Sequence, residues 1–518
     1  MNGIRKFTRW MLPAAVACLA GCGGTPQLEP GTATDPATPS PDRQRRIIVN
    51  DDGEAEPITR DRPLEAYLAQ RFQDAVGSQV DSYFICVGST DRGPAIGKKP
   101  RLQDTQNRWY PAMKAPPEID RMTRAYLEAA KTANMEIFAS IRMNDIHDAW
   151  APRLTYPLKM ARPDLLLGAR ADHAPDAVMR AFWSGLDYAK EEVRNHFLDF
   201  IRTYCRQYDY DGLELDYFRH PLFFKLGEAR RHLDTMTDFV RTVRSILSEI
   251  GRERGRPYLL AIRVPDTPAM ALRTGLDVEQ WMKEGLLDLL IVGGGYMPYA
   301  GRLQTFVDLA HRYGIPAYPC INHFREPVAM RSLASNIWAM GADGVYLFNY
   351  FGVDSGMEGG RMVPQVSDSA ERRKVLSQIG DPASLTGLEK RFVADNGASI
   401  FYTGFTNPRG QLPARLMEAT PIELVVGDDV GRADRQASEL VLNISVEEVA
   451  AGEGIAVEVN GARVPSASLE RTGDESFTAR LQEEPLKRGL NTIVVLPGPD
   501  STGRLSSKVT GLELQVRY

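Results

Sequence analysis

Apolar runs between residues 80 and 350 predict eight strands, and helical stripes separate most of them. A strand buried on both faces forms a short continuous apolar run, whereas an amphipathic helix repeats apolar residues with a helical period. The predicted strands cover residues 80–87, 135–145, 183–188, 213–217, 258–264, 287–293, 316–322 and 344–350. The predicted helices cover residues 121–133, 191–207, 235–250, 278–284, 303–313 and 330–340.

This alternation predicts an α/β fold, a (β/α)8 TIM barrel over residues 63–381. A doubly wound open sheet is the competing fold. It is disfavoured because the stretch from Cys86 to Thr90, which follows the first predicted strand, has no glycine-rich phosphate turn. Residues 382–518 contain alternating strands and an Asn460-Gly461 hairpin signal. They predict a connector and a C-terminal antiparallel β-sandwich, whose supporting role is favoured over carbohydrate binding because no clustered tryptophans mark a platform.

The N-terminal segment has the pattern of a lipoprotein signal. Basic residues precede an apolar run at residues 11–19, and Leu19-Ala20-Gly21-Cys22 resembles the bacterial lipobox. This pattern predicts a signal peptide over residues 1–21 and lipidation of Cys22, hence a membrane anchor. Because no aspartate follows the cysteine, resemblance to lipoproteins of two-membrane bacteria favours the outer membrane. Residues 22–62 are rich in Pro, Thr and Asp and predict a disordered tether, with Ile47-Ile48-Val49 as its only large apolar run.

Composition narrows the function classes. The chain has 62 Lys and Arg against 67 Asp and Glu, a formal net charge of −5, and no accumulating basic patch, so nucleic acid is not an expected partner. Beyond the signal segment, Cys86, Cys205 and Cys320 are widely spaced, which favours buried thiols over a zinc site or a disulfide framework. No spacing motif indicates a metal or a cofactor.

The most informative stretch is the fourth predicted strand. Its Glu214 and Asp216 point to one face because side chains alternate along a strand. Alone, two such carboxylates indicate an ion-paired couple, but active sites of TIM barrels lie at the carboxyl ends of the strands. Carboxylates and amides bind sugar hydroxyls, and aromatic rings stack on sugars. The strand ends supply catalytic candidates Asp216, Glu214, Asp145 and Asp266, and substrate-binding candidates Arg142, Asn144, His147, Arg263, Tyr296, Asn322, His323, Asn349 and Tyr350.

Residues 211–221, Asp-Gly-Leu-Glu-Leu-Asp-Tyr-Phe-Arg-His-Pro, resemble the fourth-strand motif "DGI-x-LD-x-x-R-x-P" of the family-10-like glycosyl hydrolases. Residues 186–194, 281–288 and 342–345 are also similar to segments of that group. The resemblance implies a glycoside-acting barrel and a carbohydrate substrate. The strand is similar to the chitinase pattern "DG-x-D-x-D-x-E" as well, but Phe218 stands where that family keeps its acid glutamate, which argues against substrate-assisted chemistry.

Glycoside hydrolysis usually needs one protonated and one ionised carboxyl group. Asp216 lies nearest the strand end and is the candidate for the ionised role. We expect Glu214, one layer deeper, to form an ion pair with Arg142 or Arg263. The proton donor stays open among Asp145, Asp266 and Glu326, and His147 and His323 are candidates for binding a hydroxyl or moving a proton.

Two function classes follow from the sequence. The leading hypothesis is a surface-anchored glycoside hydrolase that cleaves O-glycosidic bonds of a polysaccharide or oligosaccharide. The alternative is a non-catalytic glycan-binding or cell-envelope lipoprotein with a degenerate barrel.

Overall fold

The computed structural model describes residues 40–51, 64–88, 117–149, 155, 157–169, 182–294, 303–322, 326–350, 356–358, 361–363, 368–394, 411–431, 436–450, 452–499 and 506–518. The barrel strands are β1 Ile47–Asp51, β2 Val80–Gly88, β3 Glu136–Arg142, β4 Gly212–Asp216, β5 Leu259–Val264, β6 Leu289–Val292, β7 Ala317–Asn322 and β8 Val345–Phe348. The helices are α1 Leu64–Phe72, α2 Pro117–Thr132, α3 Pro157–Ala161, α4 Glu191–Gln207, α5 Leu233–Arg254, α6 Pro268–Arg273, α7 Val278–Lys283, α8 Gln304–Arg312, α9 Pro327–Ala339, α10 Ser369–Leu376 and α11 Pro382–Leu385.

The eight strands form one closed barrel in chain order, with parallel pairing throughout and β1 joined to β8. The predicted TIM barrel is therefore confirmed. Helices cover its outside, and a second apolar cluster that includes Phe84, Phe138 and Tyr346 fills its inside. The first residue of β4, Gly212, has no side chain, and any side chain there would collide with the ring of Phe138. Glycine at this position thus makes room for the barrel interior.

Two predicted boundaries are wrong. Ile47–Asp51 is the first barrel strand, so the tether predicted over residues 22–62 ends before residue 47 and the barrel begins earlier than residue 63. This strand is buried on both faces. Its apolar run is short and directly follows two arginines, so it was not recognised as a strand. The strand predicted over residues 183–188 is absent from the barrel, and there Leu186 forms only an isolated antiparallel bridge with Leu166. One barrel strand was missed and one predicted strand does not exist, so the strand that contains Glu214 and Asp216 is still the fourth.

The helices follow the predicted amphipathic stripes. Helix α4 spans Glu191–Gln207 as predicted and buries Val193, Phe197, Phe200, Ile201 and Tyr204. Helix α5 ends at Arg254 and is capped by Gly255, whose φ of +73° is the left-handed conformation that glycine adopts without strain. Among the described residues, no helix combines the length and the apolar composition needed to cross a bilayer.

The C-terminal strands form a sandwich, as predicted. After the separate strands β9 Gly356–Glu358 and β10 Arg361–Val363, the sandwich strands are β11 Lys390–Val393, β12 Ala414–Arg415, β13 Ile422–Val426, β14 Glu439–Glu447, β15 Ile455–Val459, β16 Ala462–Arg463, β17 Leu469–Arg471, β18 Ser476–Arg480, β19 Gly489–Pro497 and β20 Lys508–Arg517. One sheet has the order β11-β20-β14-β18-β17 with β12 beside β20, and the other has the order β13-β19-β15-β16. Their inner faces share one apolar core, while β9 and β10 pair separately as a hairpin.

The sandwich packs on helix α9 through a buried polar cluster around Asp428. The Asp428 carboxylate accepts hydrogen bonds from Ser335 Oγ of α9 at 2.5 Å and from the Tyr518 hydroxyl at 2.6 Å. Lys390 Nζ, on β11, lies 2.7 Å from the same carboxylate and is fully buried. Gly427 abuts the backbone of Ser335, where a side chain would collide. One carboxylate therefore joins the barrel helix to the sandwich.

Candidate active site at the carboxyl end of the barrel

Asp216 ends β4 with both carboxylate oxygens held in place. The backbone N–H groups of Phe218 and Arg219 each donate to Oδ1 at 3.0 Å, because the chain turns sharply after the strand. Arg263 Nη1 lies 3.5 Å from Oδ2. The strand register puts Arg142 of β3 and Arg263 of β5 level with Asp216 on either side. The two backbone N–H groups and Arg263 together fix the direction of the Asp216 carboxylate.

Glu214 lies one layer deeper, and its surroundings differ. Its side chain is fully buried and accepts hydrogen bonds from Ser140, from Asn50 Nδ2 at 3.3 Å and from the Tyr346 hydroxyl at 2.8 Å. Burial, and then the charge of Asp216, raise the pKa of Glu214 to about 7. The ion pair predicted between Glu214 and an arginine is wrong, because both arginines stand one layer higher.

Arg263 is enclosed by groups that hold its guanidinium in the barrel mouth. Its Nε donates to the Gly293 carbonyl at 3.3 Å, and its guanidinium carbon lies 5.1 Å from the ring centroid of Phe218 and 4.7 Å from that of Phe348. Cation–π contacts of this kind offset part of the cost of burying a charge. Arg263 therefore provides a fixed positive charge beside Asp216.

A second network follows β3. Arg142 Nη1 donates to Asp145 Oδ2 at 2.9 Å, and His147 Nδ1 lies 2.5 Å from Asp145 Oδ1. Arg219 Nη2 lies 2.9 Å from His147 Nε2. Burial opposes ionisation, but the hydrogen bond from His147 and the charge of Arg142 hold the pKa of Asp145 well below its usual range. This places Asp145 in the ionised form and removes it from the candidates for proton donor.

Asp145, His147 and His220 have ligand atoms within 4.8 Å of one another, and their types suit a transition metal. Arginine can only donate, so His147 Nε2 accepts from Arg219, and Nδ1 carries the hydrogen that points to Asp145. That tautomer leaves Nδ1 without a lone pair for a metal. Two guanidinium groups also adjoin the cluster and would repel a divalent cation. The arrangement favours a hydrogen-bonded chain.

His220 occupies an unusual backbone conformation beside this network. Its φ of +54° is rare for a residue with a side chain and directs the buried ring so that Nδ1 lies 3.4 Å from Asp145. Burial lowers the pKa of His220 well below its usual range, so the ring is neutral. Asn349, directly after β8, has a similar φ of +59°. Strained residues at two strand ends are typical of functional sites.

Asp266 is half-buried at the mouth, in the loop after β5. Its Oδ1 accepts a hydrogen bond from the Gly294 backbone at 3.3 Å and packs on Gly293, whose carbonyl binds Arg263. Glu326, by contrast, is exposed at the start of α9, and its carboxylate lies 3.0 Å from Arg391 Nη2 of the sandwich. Of the candidates for proton donor, Asp266 therefore fits the site better than Glu326.

Other predicted residues take different places. Asn144 is buried, donates to the carbonyls of Leu186 and Leu222 at 3.0 and 2.8 Å, and accepts from the Leu186 backbone, which favours a structural role over contact with a ligand. Tyr350 belongs to the apolar cluster outside the barrel strands. Asn322 ends β7 beside Phe348. Tyr296, His323 and Cys22 lie outside the described residues.

The sequence analysis missed three partners of Glu214: Asn50, Ser140 and Tyr346. Asn50 belongs to the unrecognised first strand. Ser140 precedes Arg142 by two positions and Tyr346 precedes Phe348 by two, so the alternation of each strand placed them on the inner face. Searching the inward positions below each strand end would have found the latter two.

By fold, the chain belongs to the TIM-barrel class. No protein-family model matches it, and no curated protein does. Its structural neighbours are glycoside hydrolases. The glycoside hydrolase domain of PgaB from Bordetella bronchiseptica matches with a TM-score of 0.40 and 11% identity over 59% of this chain and 93% of its own. Isoenzyme 2 of α-L-fucosidase from Paenibacillus thiaminolyticus matches with a TM-score of 0.39 and 14% identity over 65% and 49%.

The full-length tri-modular endo-β-1,4-glucanase B from Bacillus halodurans matches with a TM-score of 0.39 and 12% identity, over 85% of this chain and 72% of its own. At TM-scores this low, the similarities say nothing about the reaction of the present chain.

Proposed function

We propose that the protein is a glycoside hydrolase in which Asp216 acts as the ionised carboxylate, either as nucleophile or as base. The observation that carries the proposal is the contrast between two carboxyl groups of one strand. Asp216 is held by backbone N–H groups and Arg263, whereas Glu214, two residues earlier, has a pKa raised to about 7. Titratable neighbours whose environments differ in this way are typical of acid–base sites.

Asp266 is the proposed proton donor. Glu214 is fully buried, with its oxygens bound inside the barrel, so it has no path to a glycosidic oxygen. Asp145 is held ionised by its neighbours. Asp266 is half-buried and follows the strand adjacent to Asp216, which supports a position across the bond to be cleaved. Arg263 and His147 would then contact hydroxyl groups or the developing charge.

The motif at residues 211–221 also supports a proposed membership of the family-10-like glycosyl hydrolase group. Surface anchoring through Cys22 remains a proposal that rests on the lipobox pattern. It is tested by fractionating cells that express the wild type or Cys22→Ser. Loss of the variant from the membrane fraction is expected, and equal membrane recovery of both proteins would contradict the anchor.

The proposed activity is tested by release of reducing ends from a panel of polysaccharides and oligosaccharides. Asp216→Asn keeps the shape of the side chain and removes its charge. The matched control is Asp238→Asn, because that carboxylate lies on α5 with 71% of its side chain exposed. We expect release by the wild type and by the control, and loss of release in Asp216→Asn. Background release by all three proteins with retained glycan binding would instead favour the non-catalytic alternative.

A further inference from the structure

Glu214 occupies the centre of the barrel, where three other strands contribute its hydrogen-bond partners. Ser140 of β3 is level with it in the strand register, and Asn50 of β1 and Tyr346 of β8 reach it from the other side. Its side chain has no exposed surface. A carboxyl group in such a place must either be matched by a cation or carry a proton, because an isolated buried charge is very costly.

The groups that bind Glu214 directly are all uncharged. Ser140 and Tyr346 contribute hydroxyls and Asn50 an amide. A hydroxyl can turn from donor to acceptor, whereas a guanidinium can only donate. The two hydroxyls can therefore satisfy either the ionised or the protonated form of Glu214, unlike the arginine that the sequence predicted there.

The charged and titratable groups facing Glu214 come from β4, β5, β7 and β8. Asp216 raises its pKa, and Arg263 lowers it. Burial raises the pKa of the nearby Cys320 thiol to about 12, and the pKa of Tyr346 is raised well above its usual value, so both stay neutral. Arg142 is engaged by Asp145. Arg263 is therefore the guanidinium that acts on Glu214 and also lies 3.5 Å from Asp216, and it balances one negative charge.

The amide of Asn50 is compatible with either charge state of Glu214. Its Nδ2 contacts Glu214, while its Oδ1 is buried and has no hydrogen-bond partner among the described residues. The two ends of an amide are assigned from hydrogen bonding, and they exchange by half a turn. After that turn, Oδ1 faces Glu214, where it can accept a hydrogen bond only from a protonated carboxyl group.

We propose that Glu214 holds a proton while Asp216 is ionised. Neutral Glu214 is then a positioning residue, because the charge of Arg263 interacts with the carboxylate of Asp216 alone. The role in catalysis rests on the proposed hydrolase function, whereas the protonation does not. When Glu214 ionises, Arg263 interacts with two negative charges instead of one, so its interaction with Asp216 becomes weaker. Activity should then fall on the alkaline side as Glu214 loses its proton.

Glu214→Gln tests the role because an amide resembles a protonated carboxyl group in shape and cannot ionise. We expect the wild type to show an alkaline limb near pH 7, and we expect the variant to keep most of the wild-type kcat/KM at pH 6 and to lack that limb. The matched control is Glu136→Gln, which removes a buried carboxylate paired with Arg45 in β3 and should leave that limb in place. A loss of activity in Glu214→Gln as large as that in Asp216→Asn would overturn the proposal, as would an unchanged alkaline limb.

Protonation can be measured without any substrate. Infrared difference spectra of the full chain around neutral pH should show the carbonyl band of a protonated carboxyl group that disappears as pH rises. The band should be absent in Glu214→Gln and present in Glu136→Gln. If the wild type hydrolyses no glycan but shows this band, only the proposed function fails. If the band is missing in the folded wild type, the protonation of Glu214 is refuted whatever the activity.

Discussion

The cluster around Asp428 predicts that the sandwich and the barrel unfold together. Replacing Asp428 by Asn removes the charge that Lys390 faces at 2.7 Å. Ser335 and Tyr518 donate to different carboxylate oxygens, so the single amide oxygen can still accept from one of them. Lys390 is fully buried, and burial lowers its pKa even with Asp428 present. The variant therefore leaves a buried cation without its carboxylate.

Breaking a buried pair by removing one partner costs about 3–5 kcal/mol, most of it from the charge left behind. The Asp428 side chain is 10% exposed and its hydrogen bonds survive in part, so we expect a loss of about 3 kcal/mol in the free energy of unfolding. The assay is guanidinium denaturation followed by fluorescence and circular dichroism. The wild type should unfold in one transition, and Asp428→Asn should separate the sandwich transition from that of the barrel.

Asp429→Asn is the matched control, because that neighbouring carboxylate is exposed, and its effect should stay within about 0.5 kcal/mol. An equally small effect of Asp428→Asn would refute the reasoning. It would mean that the sandwich does not depend on this contact and is free to act as an independent module.

Three further predictions concern the site. Because the folded pKa of Glu214 is raised from 4.5 to about 7, the stability it contributes is fully present below pH 4.5 and lost as pH rises through 7, by on the order of 3 kcal/mol; denaturation curves of Glu214→Gln should lack this slope. Arg263→Met should lower the free energy of unfolding by about 3 kcal/mol and abolish hydrolysis, because Asp216 loses its guanidinium; unchanged stability would contradict the pairing. Chelation of metals should leave the melting temperature unchanged if Asp145 and His147 form a hydrogen-bonded chain, and a lower melting temperature would indicate a bound metal.

The fold could be predicted from the sequence because its main signals are local. The stripe of α4 and the apolar run of β4 depend only on neighbouring residues, and both lie where they were predicted. β1 was missed because its apolar run is only three residues long and lies between two arginines and the polar pair Asn50-Asp51. Residues 183–188 were wrongly predicted to be a strand. Leu186 and Tyr188 are buried, as they would be in a strand, but the Leu186 backbone is hydrogen-bonded to the side chain of Asn144 in the loop after β3.

The site could be predicted only in part. Which inward-facing side chains of neighbouring strands lie at the same height in the barrel depends on the strand register, which the sequence does not show. The sequence indicated that Asp216 and the arginines converge at one end of the barrel. It could not show that Arg263 is level with Asp216 and that Ser140 is level with Glu214. A displacement of two residues along a strand changes a partner from a guanidinium to a hydroxyl. The ion pair predicted between Glu214 and an arginine was wrong for that reason.

The central claim is that Asp216 is the ionised catalytic carboxylate of a glycoside hydrolase. The most direct measurement is kcat/KM of the wild type and Asp216→Asn on a glycan that the wild type cleaves, together with the Kd of the variant for that glycan. We predict a fall in kcat/KM of about 10²–10⁴-fold with little change in Kd. Equal kcat/KM values for the two proteins would contradict the claim.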